Sequence, residues 1–201
     1  MYIPKYYVGK DQKEAIAFMQ RFNFGLITTS TNEAPVATHL PFVISERDDK
    51  IILSSHLAKA NPHSDLLASN ENLIVFSEPH AYISPSLYEK EQNVPTWNYI
   101  AVHAYGKARI IEEQKAVFLL LEEMMDFMEP AFKQQWQSLN SEYKSRLSKA
   151  IVGFEIEVSK LQFKKKLSQN KTEQEKENII NSLKTSPNSN EQHVAEYMKK
   201  N

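Results

Sequence analysis

The chain has 201 residues, 41% hydrophobic and 24% charged, a globular rather than a disordered composition. Its 24 Lys+Arg against 25 Asp+Glu give a net charge of −1, so bulk charge does not hold it on nucleic acid and any DNA contact must come from a local patch. Cysteine is absent and the four glycines (Gly9, Gly25, Gly106, Gly153) lie far apart, which excludes disulfides, thiol catalysis, cysteine-ligated metals, a P-loop and a dinucleotide fingerprint.

The N-terminal segment Met1 to Tyr7 has no apolar signal core. The longest strongly apolar run, Ala116 to Leu121, is too short to span a bilayer. A cytoplasmic protein with no membrane partner is expected. Asp11-Gln12-Lys13-Glu14 is a capping-box pattern that opens a helix ending near Asn23. Phe24 to Ser30 reads as a strand, and Val36 to Ile44 as a second whose Pro41 argues for an edge or a bulge. Glu46 to Lys50 is a hairpin turn, with Ile51 to Ser55 as the returning strand. Asn61 and Pro62 then suit the cap and first position of a short helix. Leu73 to Phe76 is a buried-type strand. Residues 78–96, with Pro79, Pro85 and Pro95, read as an ordered loop of functional length.

Trp97 to Ile111 is a long strand with a possible kink at Gly106. Residues 112–128 place Val117, Leu120, Leu121, Met124, Met125 and Met128 at helical spacing. A further helix covers Ser141 to Ala150, and Ile151 to Val158 is the last expected strand. Capping boxes at Thr172 and Ser189 open two polar C-terminal helices. About six strands in a mainly antiparallel sheet bury their edges best by closing into a small barrel. The chain is therefore expected as mainly β with peripheral α: a barrel domain over 1–170 and a helical appendage over 171–201, packed on the barrel or on a partner subunit.

Several residues carry candidate chemistry. Ser54, Ser55, Lys59 and Asn61, between a strand and a helix start, offer hydroxyls, an ammonium and free helix N–H groups to a phosphate dianion. The bland alternative is a capped helix beside a solvated lysine. His39 and His56 lie on neighbouring strands and offer neutral imidazoles to a carbonyl or a substrate, or else line a barrel mouth. Trp97 can stack on a flat ring and Asn98 can reach its polar edge, or both fill the core. The six histidines form no metal-ligand pattern, so no metal site is expected. Lys160, Lys164, Lys165, Lys166 and Lys171 form a basic run, the one candidate patch for DNA. Adjacent carboxylates such as Glu112-Glu113 point apart on a helix, and no catalytic residue is identified.

Four stretches resemble one family. They are His39-Leu40-Pro41-Phe42; Ser55 to Pro62; Pro79 to Ser86 continuing through Val94-Pro95-Thr96-Trp97-Asn98-Tyr99 to Gly106; and Ile151 to Ile156 with Lys166-Leu167-Ser168-Gln169-Asn170. Together they look like the PaiB family of FMN-binding negative transcriptional regulators. The resemblance implies an FMN-binding split β-barrel, antiparallel, with FMN as cofactor and a homodimer as the assembly. It implies that the Ser54–Asn61 corner holds the FMN phosphate and that Gln169 and Asn170 reach toward the flavin. In related split barrels such groups come from the neighbouring subunit, so a flavin site shared between two chains is expected. The implied function is repressor-type regulation with flavin as a structural or sensing ligand. An FMN-dependent oxidoreductase or flavin reductase acting on a small-molecule ligand is the alternative, and a flavin- or haem-handling binding protein without turnover is a third reading. No helix-turn-helix pattern is visible in the sequence.

Overall fold

A computed structural model describes residues 1–200. Among the described residues, nine strands form one mostly antiparallel sheet with six α-helices. In chain order the elements are α1 (Gln12–Arg21), β1 (Phe24–Thr29), β2 (Val36–Pro41), β3 (Val43–Arg47), β4 (Lys50–Ala58), β5 (Glu71–Phe76), β6 (His80–Ile83) and β7 (Thr96–Ile111). Then come α2 (Gln114–Met128), α3 (Phe132–Ser138), α4 (Ser141–Lys149), β8 (Ile151–Glu157), β9 (Lys160–Lys166), α5 (Glu173–Lys184) and α6 (Ser189–Lys199). The chain clusters into a larger unit, Ile16–Phe76 with Ala104–Leu161, and a smaller one, Met1–Ala15 with Ser77–His103 and the chain from Gln162 onward. The division crosses the sequence, unlike the expected boundary at residue 170. The two C-terminal helices fall in the smaller unit; Asn201, the last residue of the expected appendage, lies outside the described residues.

In the larger unit the strand order is β2-β1-β5-β7-β8-β4-β3. The strand expected over 36–44 breaks after Pro41, and Phe42 instead donates its N–H to Asn23 O at 2.8 Å. Pro41 thus ends an edge strand, where its missing N–H costs no ladder bond. The β3–β4 hairpin turns at Asp48 and Asp49, both at positive φ (51° and 61°), the two-residue geometry that follows strand twist. Phe42, Phe76 and Phe154 are fully buried and meet edge-on, with ring centroids 5.7 Å (Phe42–Phe76) and 6.4 Å (Phe42–Phe154) apart. Each such ring contributes about 1.5–3 kcal/mol by burial. Helix α2 lays Leu120 and Met124 on Val43 and Ile111. Helix α3, not anticipated from sequence, buries Trp136 against Phe118.

In the smaller unit, β6 pairs with the first residues of β7, Ala81 opposite Asn98 and Tyr82 opposite Trp97. Part of the expected 78–96 loop is therefore a strand. The basic run folds as β9, which pairs with β7, and Gly9 donates its N–H to Phe163 O at 2.9 Å. Helices α5 and α6 bury Ile179, Leu183, Val194 and Ala195, and α6 contacts β6. The capping box at Thr172 and Glu175 forms as expected, whereas α6 is capped one residue early, by Asn188, which accepts from Asn190 N.

Candidate functional site

In the larger unit, β4 extends to Ala58, so Ser54, Ser55 and His56 lie within a strand and not at its end. Successive strand residues face opposite sides, so Ser54 and Ser55 diverge. Both are fully buried. Ser55 Oγ donates to Pro41 O at 2.7 Å. Ser54 Oγ is buried with no hydrogen-bond partner, an open donor and acceptor. Across the ladders Ser54 sits opposite Val43 and Glu155. Glu155 accepts from Arg47 at 2.7 Å and from Arg109, which places two guanidiniums in that neighbourhood. Lys59 is exposed, and its backbone N–H bonds Ala150 O at 2.8 Å. His56 is half-buried with Nδ1 3.3 Å from Met124 Sδ, and burial lowers its pKa. His39 is exposed and stacks on Phe24 at 6.1 Å.

Asn61 serves the fold directly. Its Oδ1 accepts from His63 N at 3.0 Å, capping the short turn that Pro62 opens, and its Nδ2 donates to Thr38 Oγ1 at 3.4 Å. Thr38 contacts His63 Nδ1 at 2.8 Å, His63 Nε2 contacts Thr29 Oγ1 at 2.8 Å, and Thr29 donates to Asn72 Oδ1 at 2.5 Å. Asn72 Nδ2 closes the chain on Leu67 O and Gly106 O. This relay ties β2, β1 and β5 through a histidine that sequence reasoning did not single out. Of the four expected phosphate residues, Ser54 and Lys59 keep uncommitted donors; Ser55 and Asn61 are engaged within the chain.

In the smaller unit, Trp97 is half-exposed and lies between His80 and Tyr82, at 5.8 and 5.9 Å. Asn98 is fully buried and exchanges hydrogen bonds with Ser168, at 2.9 and 3.1 Å. Ser168 is held at φ 60°, a left-handed conformation that this exchange anchors. Gln169 is spent on backbone: it accepts from Leu167 N at 2.8 Å and donates to Lys165 O at 2.6 Å. Asn170 is exposed and accepts from Tyr7 OH at 3.3 Å.

Asn98 and Asn170 line a cavity of about 210 Å³ with Tyr7, Tyr88, Thr96, Lys166 and Lys171. Lys166 donates to Thr96 Oγ1, and its pKa is lowered by burial and by the neighbouring Lys164. Lys171 Nζ lies 3.5 Å above the Tyr88 ring and donates to Asn93 Oδ1 at 3.0 Å. Burial raises the Tyr88 pKa, helped by Glu175, Tyr7 and Tyr82. The signal for these residues was present in the Lys166–Asn170 pattern and, for Tyr88, in the aromatic 78–96 loop of functional length; Tyr7 carried none. Two further lysines of the basic run are engaged. Lys164 donates to Tyr2 O at 3.2 Å, and Lys165 pairs with Glu14 at 2.6 Å. Lys160, at the start of the run, is exposed and lies 5.3 Å from the Tyr105 ring.

A family described as "Putative FMN-binding domain" matches residues 1–160. The Protease synthase and sporulation protein PAI 2 of Bacillus subtilis (strain 168) is 39% identical over 204 residues, 98% of this chain and 96% of that one. The flavocytochrome Anf3 of Azotobacter vinelandii superposes with a TM-score of 0.65 at 15% identity, over 82% of this chain and 72% of that one. The FAD and heme binding protein of Mycobacterium smegmatis gives 0.62 at 11% identity, over 79% and 72%. At these identities the two structures establish the fold, the split barrel of flavin-binding proteins.

Proposed function

The chain belongs to the FMN-binding domain family, and from that premise we propose that it is a flavin-dependent regulator of the repressor type, with FMN as a structural or sensing ligand. The observation that carries this reading is the relationship to PAI 2, which spans nearly the full length of both chains, where a shared fold alone would not transfer a function. That relative is named for protease synthase and sporulation, and a role in those processes is part of this reading.

The residues fit a flavin phosphate in part. Ser54 has a buried hydroxyl without a partner, and Lys59 an exposed ammonium. When bound, FMN supplies a redox-active ring whose state could alter the protein. Ser54 and Lys59 would hold the phosphate, and His39, His56 and the half-exposed Trp97 are the further candidates for ring contact. Two chains would share each flavin site in a cytoplasmic homodimer, with Trp97 a better candidate than the enclosed Asn98 for the group that crosses. No helix among the described residues is long and apolar enough to cross a membrane.

The deciding experiment uses one preparation for two measurements: salt-dependent binding to DNA upstream of the protein's own gene, and NAD(P)H-driven flavin reduction. A steep salt slope without reduction is expected. Rapid reduction without DNA binding overturns the regulator reading in favour of an oxidoreductase.

A further inference from the structure

The cavity in the smaller unit has an excess of hydrogen-bond donors over acceptors. Two ammonium groups line it, Lys166 and Lys171. Lys171 stands 4.0 Å from Glu175. That carboxylate pairs with Lys171 and also accepts from Glu89 N at 3.2 Å and Thr172 N at 3.3 Å, so it is shared among three donors. Lys166 meets a neutral hydroxyl, Thr96, and has another lysine beside it. Tyr88 is about nine-tenths buried, and its hydroxyl has no hydrogen-bond partner. Asn170 spends its carbonyl oxygen on Tyr7, which leaves its amide N–H groups as the end it can offer a ligand. A half-buried cation beside a like charge, next to a buried phenol without a partner, is a combination that a negative group would complete.

We propose that this cavity is a binding site for a small oxyanion, a phosphate or carboxylate group, held by Lys166 and Lys171 with Tyr88 as hydrogen-bond donor. At about 210 Å³ it is below the usual range for a drug-sized ligand and matches a headgroup or a small acid, not a whole flavin. The oxyanion has two possible sources: a separate small anion, or the phosphate of a flavin nucleotide seated here in place of the Ser54 and Lys59 corner. The site stands on the geometry of the smaller unit alone and does not depend on the regulator reading.

The test titrates the full chain with inorganic phosphate by calorimetry and follows the Lys166 ammonium by NMR. Phosphate should raise the Lys166 pKa, because an anion favours the charged form. Lys166→Gln should weaken phosphate binding about tenfold or more, and Tyr88→Phe by a smaller factor. Exposed Lys10→Gln, with the same net-charge change as Lys166→Gln, should leave binding unchanged. If Lys166→Gln does not fold, Tyr88→Phe and the NMR titration decide. A second arm adds FMN or riboflavin. Competition with phosphate by FMN and not by riboflavin assigns the site to the flavin phosphate; no competition by either assigns it to a separate anion. Both outcomes support an oxyanion site. Phosphate that binds wild type and both variants alike, or leaves the Lys166 pKa unmoved, overturns it. Loss of FMN binding alone, with phosphate binding intact, counts against the flavin reading and not against this one.

Discussion

His63 Nδ1 lies 2.8 Å from the hydroxyl of Thr38, and the hydrogen bonds around it assign the ring's tautomer. Thr29 spends its proton on Asn72, so it accepts from His63 Nε2–H. Thr38 accepts from Asn61 and has its own proton to offer His63 Nδ1. A neutral ring protonated at Nε2 satisfies all of these bonds, and burial favours that form by lowering the pKa.

The sign of the pH dependence follows. The unfolded chain takes up a proton near pH 6.5, while folded His63 resists it to lower pH. This contribution is intact above about pH 6.5 and is lost as pH falls from there through the folded pKa. The urea midpoint should drop between pH 7.5 and 5.5, and drop less in His63→Gln. An equal drop would move the effect to His56 and His103, whose pKa values burial also lowers.

Gly106→Ala should destabilise by about 1–3 kcal/mol, because overpacking a closed site strains it. A Cβ there runs into the carbonyl oxygen of Glu157, a backbone atom that cannot rotate away. At Gly153 the obstacle is the end of the Leu120 side chain, which can move, so Gly153→Ala should cost less. Chemical denaturation of both variants measures the difference; equal losses would refute the backbone explanation.

Asn98→Ala removes one half of a buried exchange and leaves Ser168 without its partner. The expected cost is about 1–3 kcal/mol in unfolding free energy. A variant of wild-type stability with weakened FMN affinity would return Asn98 to the ligand and not to the fold.

Lys59→Ala and Asn61→Ala should separate. Removing the exposed ammonium should weaken FMN binding roughly ten- to hundredfold, about 1.5–3 kcal/mol for a charge-assisted contact, at unchanged stability. Asn61→Ala removes a cap and a relay bond, so it should lower stability by about 0.5–2 kcal/mol. Flavin fluorescence and urea titrations on the same samples read both. Unchanged affinity in Lys59→Ala would assign that side chain to solvent.

A flavin site built from two chains links binding to association. Dilution should then weaken FMN affinity, and FMN should raise the apparent melting temperature more at low protein concentration. Light scattering that gives a monomer throughout the micromolar range would remove the shared site.

Local chemistry was legible in the sequence. The turn at Asp48-Asp49, the Asn61-Pro62 start and the Thr172–Glu175 box each depend on residues within a few positions of one another, and each appears in the structure. The motif stretches carried the family and the flavin-binding fold, because long runs of matching residues are specific without coordinates. Side-chain commitments were not legible. Ser54 and Ser55 looked like one phosphate grip until strand β4 ran past them and turned them apart. The lysines of 160–171 looked solvated or ready for DNA, since a charge run is read as exposed. Tertiary pairing gave Lys165 to Glu14, Lys164 to Tyr2 and Lys166 to Thr96, partners 70 to 162 positions away. A lysine can bury its long aliphatic stem and still deliver its charge to one distant acceptor. No local pattern records which acceptor that is, so only the folded chain decides between a free basic face and a built anion pocket.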